Sequence, residues 1–183
     1  MEEGKWFFEI ELKSLLSEEK FAELWNELPK KLEMFNEETI FTKRFRPSDV
    51  RLRRSDKRCE LVCKEGDPTH VCRKELVIPL PSLKEWNAFD SLLESLNFKP
   101  DPPWIKHKRE FVYPLSGFDY IVCLQNVENF GKMLEVEILT ENNDSSIHIP
   151  NIESITRALG CNPIQPAQFL QQMDEYIAAH KKA

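Results

Sequence analysis

The chain has 183 residues, a net charge of −6 and a charged fraction of 31%. That length suits one domain, residues 1–183, with a substantial core, and the acidic balance argues against a general nucleic-acid coat. No apolar run approaches the ~20 residues needed to cross a bilayer, and no signal-peptide pattern opens the chain, so a cytoplasmic protein without a membrane partner is expected.

The first predicted element is a strand over 5–13, where Glu9, Glu11 and Lys13 alternate with Phe8, Ile10 and Leu12. Successive side chains of a strand point to opposite faces, so the two carboxylates share one face and the aliphatic groups the other. Ser17 is placed to cap a helix whose Phe21, Leu24, Trp25 and Leu28 follow helical spacing, ending near Pro29. Period-two segments then predict strands over 38–46, 49–54, 58–64 and 70–79. The first pair of short strands is joined at Asp56 and Lys57, the second by the turn at Glu65, Gly66, Asp67 and Pro68. Ser82 and Glu85 form a capping-box pattern ahead of a helix carrying Trp86, Phe89, Leu92, Leu93 and Leu96. After a crossover over 97–103, strands are predicted over 105–113, 118–125 and 132–140, with a turn at Ser116 and Gly117. The last strand repeats the opening pattern, Glu135 and Glu137 alternating with Leu134, Val136 and Ile138. A helix from Asn151 to Leu159, stopped by Gly160, and another starting near Pro166 close the chain.

Eight strands joined mostly by short connections suit an α+β, mainly β fold. The expected form is a closed eight-stranded antiparallel tunnel barrel, its apolar face covered by helices packed outside. The charged face would then line an interior. Closing such a sheet could bring the two glutamate pairs side by side, and four clustered carboxylates repel one another unless a divalent cation lies between them. The other strands carry cations on single faces: Arg51 with Arg53, then Lys64, then Arg73 with Glu75, then Lys106 with Lys108, and Arg109 opposite if the alternation is regular. Arginine forks and lysines beside hard oxygen ligands suit a polyphosphate held together with Mg2+ or Mn2+. Cys59, Cys63, Cys72, Cys123 and Cys161 are odd in number and lack C-x2-C spacing, so neither a zinc site nor a disulfide framework is indicated.

This order of motifs resembles the CYTH family, also called the triphosphate tunnel metalloenzymes, from about residue 5 to residue 138. The E-x-E-x-K at Glu9, Glu11 and Lys13 matches its opening signature, Arg51 and Arg53 its early basic strand, and Gly131 followed by Glu135 and Glu137 its closing motif. The resemblance implies that Glu9, Glu11, Glu135 and Glu137 are metal ligands or orient water, and that Lys13, Arg51, Arg53, Lys64 and Arg73 grip phosphates. Lys106, Lys108 and Arg109 match the family's later basic strand, while Glu75 is an additional acidic site residue or a partner orienting Arg73. Catalytic roles fall on Glu9, Glu11, Lys13 and Glu137.

The function so implied is metal-dependent hydrolysis of inorganic triphosphate or a small organic triphosphate, such as a nucleoside or thiamine triphosphate. A class IV type adenylate cyclase and a non-catalytic polyphosphate- or nucleotide-binding module are the alternatives. Two departures bear on the choice. Gln125, Asn126 and Glu128 stand where relatives often carry an Asp before the late glycine, and residues 36–48 lack the tyrosine- and aspartate-containing strand of some cyclase-like members. No basic, aromatic-rich patch suggests docking of an RNA 5′-triphosphate end.

Overall fold

The computed structural model of the protein describes residues 4–180. Its elements in chain order are β1 (Trp6–Leu16), α1 (Glu18–Lys31), β2 (Glu33–Arg46), β3 (Asp49–Arg54), β4 (Cys59–Glu65), β5 (Cys72–Leu80) and α2 (Leu83–Ser95). There follow β6 (Lys99–Pro100), β7 (Trp104–Leu115), β8 (Phe118–Val127), β9 (Gly131–Thr140), α3 (Ser145–Ala158) and α4 (Pro166–His180). All eight expected strands are present. The two-residue β6 adds to them within the crossover, pairing with Phe45 and Arg46 of β2.

The long strands pair in the order β3, β4, β5, β1, β9, β8, β7, β2, and a further β2–β3 pairing closes them into a ring. Every pairing is antiparallel. The first and last long strands are neighbours: Glu11 of β1 lies opposite Glu137 of β9, and Lys13 opposite Glu135. The β7–β8 hairpin turns at Ser116 and Gly117, both at positive φ (54° and 80°), as a two-residue turn compatible with strand twist requires.

Period-two alternation separates two environments. Outward-facing Ile10, Phe111, Tyr120, Val122, Leu124, Leu134 and Val136 pack with Phe21, Leu24 and Leu28 of α1 and Ile152 and Ile155 of α3. On the other side of the ring Phe45, Leu52 and Leu80 meet Trp86 and Leu93 of α2. Burying each such side chain fully contributes about 1.5–3 kcal/mol, so these two cores set which sheet face turns outward. The Ser17 and Ser82 caps form as expected, each hydroxyl accepting from the backbone N–H three or two residues on. Among the described residues no helix is long and apolar enough to cross a membrane.

Helix ends depart from the periodicity at two places. Helix α1 continues past Pro29 to Lys31. Proline there removes the N–H that would bond the Trp25 carbonyl. Arg109 supplies a replacement donor, its Nη1 lying 3.2 Å from that oxygen. Helix α3 begins at Ser145, ahead of Asn151, with Pro150 inside it.

Helix α4 stands apart from the other three. The backbone N–H of Ile164, just before it, donates to the Lys13 carbonyl at 2.7 Å. Farther along, Phe169 and Tyr176 meet Phe130 edge-on, and Asp174 pairs with Arg46 at 2.8 Å. The helix therefore runs from the end of β1 to the end of β2, across one end of the ring.

Candidate active site

The ring encloses a cavity of about 510 Å³. Glu9, Glu11, Lys13, Glu135 and Glu137 of β1 and β9 line it, as do Arg51, Arg53, Lys64, Arg73, Glu75, Lys106 and Lys108 from the other strands. These are the sequence candidates except Arg109, which the alternation of β7 turns outward. Its guanidinium stacks 3.8 Å from the centre of the Trp25 ring and pairs with Glu37 at 3.0 Å.

The carboxylates fall into two groups. Ligand oxygens of Glu9, Glu11 and Glu137 all lie within 4.8 Å of one another. Were all three ionised without a cation, each pair would repel by about 3 kcal/mol at an effective dielectric of ~20. The proton affinities reflect this. Burial, then Glu9, pushes Glu11 up to about 7 despite Lys13, and burial, Glu9, Glu135 and Glu11 push Glu137 well above the usual carboxylate range. Lys64, ion-paired with Glu9, and Lys13, ion-paired with Glu11, only partly offset the charge. Three hard oxygen donors that cannot all ionise comfortably are a donor set suited to Mg2+ or Mn2+.

Glu135 lies outside that trio. It accepts from Lys13 at 2.7 Å and from the Gln125 amide. Although burial opposes its charge, Lys13, a hydrogen bond from Glu11 and Lys106 hold its pKa well below the usual range. Gln125 links the two walls, since its Oε1 also accepts from Lys106 at 3.1 Å. Gln125 thus works as a neutral bridge.

The basic wall is partly self-neutralised. Lys64 lies 3.0 Å from Glu75, and Lys108 lies 2.7 Å from Glu110. Burial opposes ionisation of Glu75, yet Lys64 and Arg53 bring its pKa down to about 2. Burial, then Lys108 and Arg53, lowers Lys106 to about 8.

Residues beyond the sequence candidates also face inward. Asp49 sits among Arg44, Arg51 and Arg73, and Glu38, Glu60 and Glu110 pair with Arg58, Arg53 and Lys108. Asp49 shares a strand face with Arg51 and Arg53, and Arg44 alternates with the outward Phe45, so strand parity held a signal for both. At the α4 end, Trp104, Val127, Met133, Phe169, Leu170 and Met173 make the wall apolar.

No protein-family model matches the chain, and no curated protein sequence does. Solved structures do. The PH1819 protein of Pyrococcus horikoshii OT3 superposes with a TM-score of 0.71 at 22% identity, over 92% of this chain and 99% of that one. HpAC1 from Hippeastrum, described as having a dominant triphosphatase activity, superposes at 0.61 with 16% identity, over 87% and 90% of the two chains. A Vibrio parahaemolyticus protein assigned as a candidate adenylate cyclase gives 0.63 at 16% identity, over 85% and 90%. At these identities the likeness speaks to architecture, and with the closed antiparallel ring it shows that the chain has the CYTH, or triphosphate tunnel, fold.

Proposed function

We propose that the protein is a divalent-metal-dependent hydrolase of inorganic triphosphate or a small organic triphosphate, bound inside the ring. One observation carries this reading: the Glu9, Glu11 and Glu137 trio and the basic residues of β3, β4, β5 and β7 line one cavity. Pure anion binding gains nothing from three crowded carboxylates, whereas metal-assisted phosphoryl transfer uses both. The tunnel fold shared with HpAC1, described as a triphosphatase, supports the same class of chemistry.

In this reading Glu9, Glu11 and Glu137 hold the metal, which neutralises phosphate charge and activates water when bound. Arg51, Arg53, Lys64, Arg73, Lys106 and Lys108 orient the phosphates along the tunnel. Phosphoryl transfer asks little covalent chemistry of a protein, so positioning and charge complementarity are the main contributions. Lys13 lies between Glu11 and Glu135 and is held charged by both, which fixes it at the edge of the trio. Without metal or phosphate, Glu11 rises to about 7 and Lys106 falls to about 8; a cation on the trio and an anion beside Lys106 would each favour the charged form, carboxylate and ammonium.

The test is a substrate panel of inorganic triphosphate, ATP, GTP and thiamine triphosphate with Mg2+ or Mn2+, following free phosphate and cyclic AMP together. Phosphate release that stops in EDTA is expected. Cyclic AMP as the main product from ATP would replace the hydrolase reading with the cyclase one.

A further inference from the structure

The register of β2 and β3 sets Arg44 directly opposite Arg51. Like charges in that position weaken strand pairing, and a third guanidinium, Arg73 from β5, reaches the same spot. Asp49 resolves the conflict. Its Oδ1 accepts from Arg51 Nε at 2.8 Å and its Oδ2 from Arg51 Nη2 at 2.9 Å and Arg73 Nη1 at 3.0 Å, while Arg44 Nε lies 2.9 Å from Oδ1 as an ion pair without hydrogen-bond alignment. Asp49 thus accepts three hydrogen bonds, of about four that a carboxylate can take, and holds all three arginines in ion-pair range. The three guanidiniums are not saturated by Asp49. Each brings five N–H donors, all four residues line the cavity, and both Arg44 and Arg73, the latter only 8% exposed, keep Nε without a hydrogen-bond partner. The group retains two positive charges in excess, the complement of one phosphate group.

We propose that Asp49 is a positioning residue, gathering Arg44, Arg51 and Arg73 into one three-guanidinium clamp that takes a single phosphate group of the bound substrate. The proposal rests on the triphosphate reading above and adds Arg44 and Asp49 to it. Guanidinium forks bind phosphate well only when their planes are fixed, and here the fixing element is a buried carboxylate. The consequence runs against simple charge counting. Removing a negative charge from an anion site should tighten anion binding. If Asp49 aligns the clamp, its removal lets three like charges spread apart, and binding weakens.

The experiment titrates tripolyphosphate into wild type, Asp49→Asn, Asp49→Glu and Arg44→Gln by calorimetry in EDTA, with near-ultraviolet circular dichroism verifying the fold of each. Asp49→Asn should raise Kd about tenfold or more, Arg44→Gln by a similar factor, and Asp49→Glu should recover part of the loss. With Mg2+ the same variants should show KM rising more than kcat falls. Unchanged or tighter binding by Asp49→Asn overturns the proposal. If that variant does not fold, an unchanged Kd in Arg44→Gln overturns it instead. Wild type that binds tripolyphosphate without hydrolysing it removes the hydrolase reading and leaves the clamp to be judged by the Kd ratios. Wild type that does not bind it overturns both.

Discussion

Glu11 and Glu137 face each other across the β1–β9 pairing, 126 positions apart in sequence, with Glu9 completing a cluster on the same wall. Opposed carboxylates disfavour strand pairing, so this seam, where the first and last long strands meet, is a point of electrostatic tension. A divalent cation would relieve that tension, which makes metal binding and stability two readings of one arrangement.

Replacing Glu9 or Glu137 with Gln should lower metal-dependent turnover by about 100-fold or more, because each removes a hard ligand without changing side-chain volume. Tripolyphosphate binding in EDTA should persist, since no cation of the basic wall is removed and Glu9→Gln only frees Lys64 from one carboxylate. Steady-state kinetics with Mg2+ and calorimetry in EDTA check the two halves. Full activity in either variant would reject the assignment of the trio.

Stability should depend on pH in a specific direction. Glu11 binds its proton more tightly folded, at about 7, than its ordinary 4.5, and Glu137 shifts the same way. The contribution of each is complete below about pH 4.5; that of Glu11 is lost as pH rises through 7, and that of Glu137 is lost above the usual carboxylate range. Glu75, lowered to about 2, changes its contribution only below about 4.5, and Lys106, lowered to about 8, changes its own above 7. Between pH 5 and 7.5 the metal-free protein should therefore lose about 2 kcal/mol, seen as a thermal midpoint falling by several degrees. Added Mg2+ should raise the midpoint more at pH 8 than at pH 5.5, because at low pH protons compete for the same oxygens.

Lys106 makes its nearest polar contact with the Gln125 amide and is depressed toward neutrality. A bound anion favours its charged form, so affinity for tripolyphosphate should fall as pH rises through about 8. In Lys106→Met that dependence should flatten, with overall affinity lower by about tenfold. Titrations at pH 7 and pH 9 compare the slopes; equal slopes would remove Lys106 from phosphate binding.

Arg109 offers the contrasting case on the same strand. Arg109→Ala loses the stacking on Trp25 and the donor to the carbonyl freed by Pro29, at a cost of about 1–2 kcal/mol in urea unfolding. KM for triphosphate should not change. A rise in KM comparable to that of Lys106→Met would mean that Arg109 reaches the cavity after all.

Strand parity made much of this site legible in advance. A residue's place in an alternating segment fixes its face, and the apolar positions decide which face turns outward, so Glu9, Arg51, Lys64 and Arg73 could be assigned to an interior from sequence. The starts of α1 and α2 were equally local matters, set by Ser17 and Ser82, whereas α3 begins at Ser145 without a side-chain cap and ahead of the expected Asn151. Parity does not name the neighbour across the strand gap. That choice separates Glu135, bound to Lys13 and Gln125, from the trio to which its sequence pattern matches it.

By itself the sequence determined the eight strands, their turns and the charged character of one face, because each follows from interactions within a few residues. Only the tertiary structure decided that β1 meets β9, that Asp49 collects arginines from three strands, and that α4 crosses one end of the ring. Those outcomes depend on register, ring closure and burial of the two outer cores. All three couple residues far apart in the chain, and no local pattern encodes their distances.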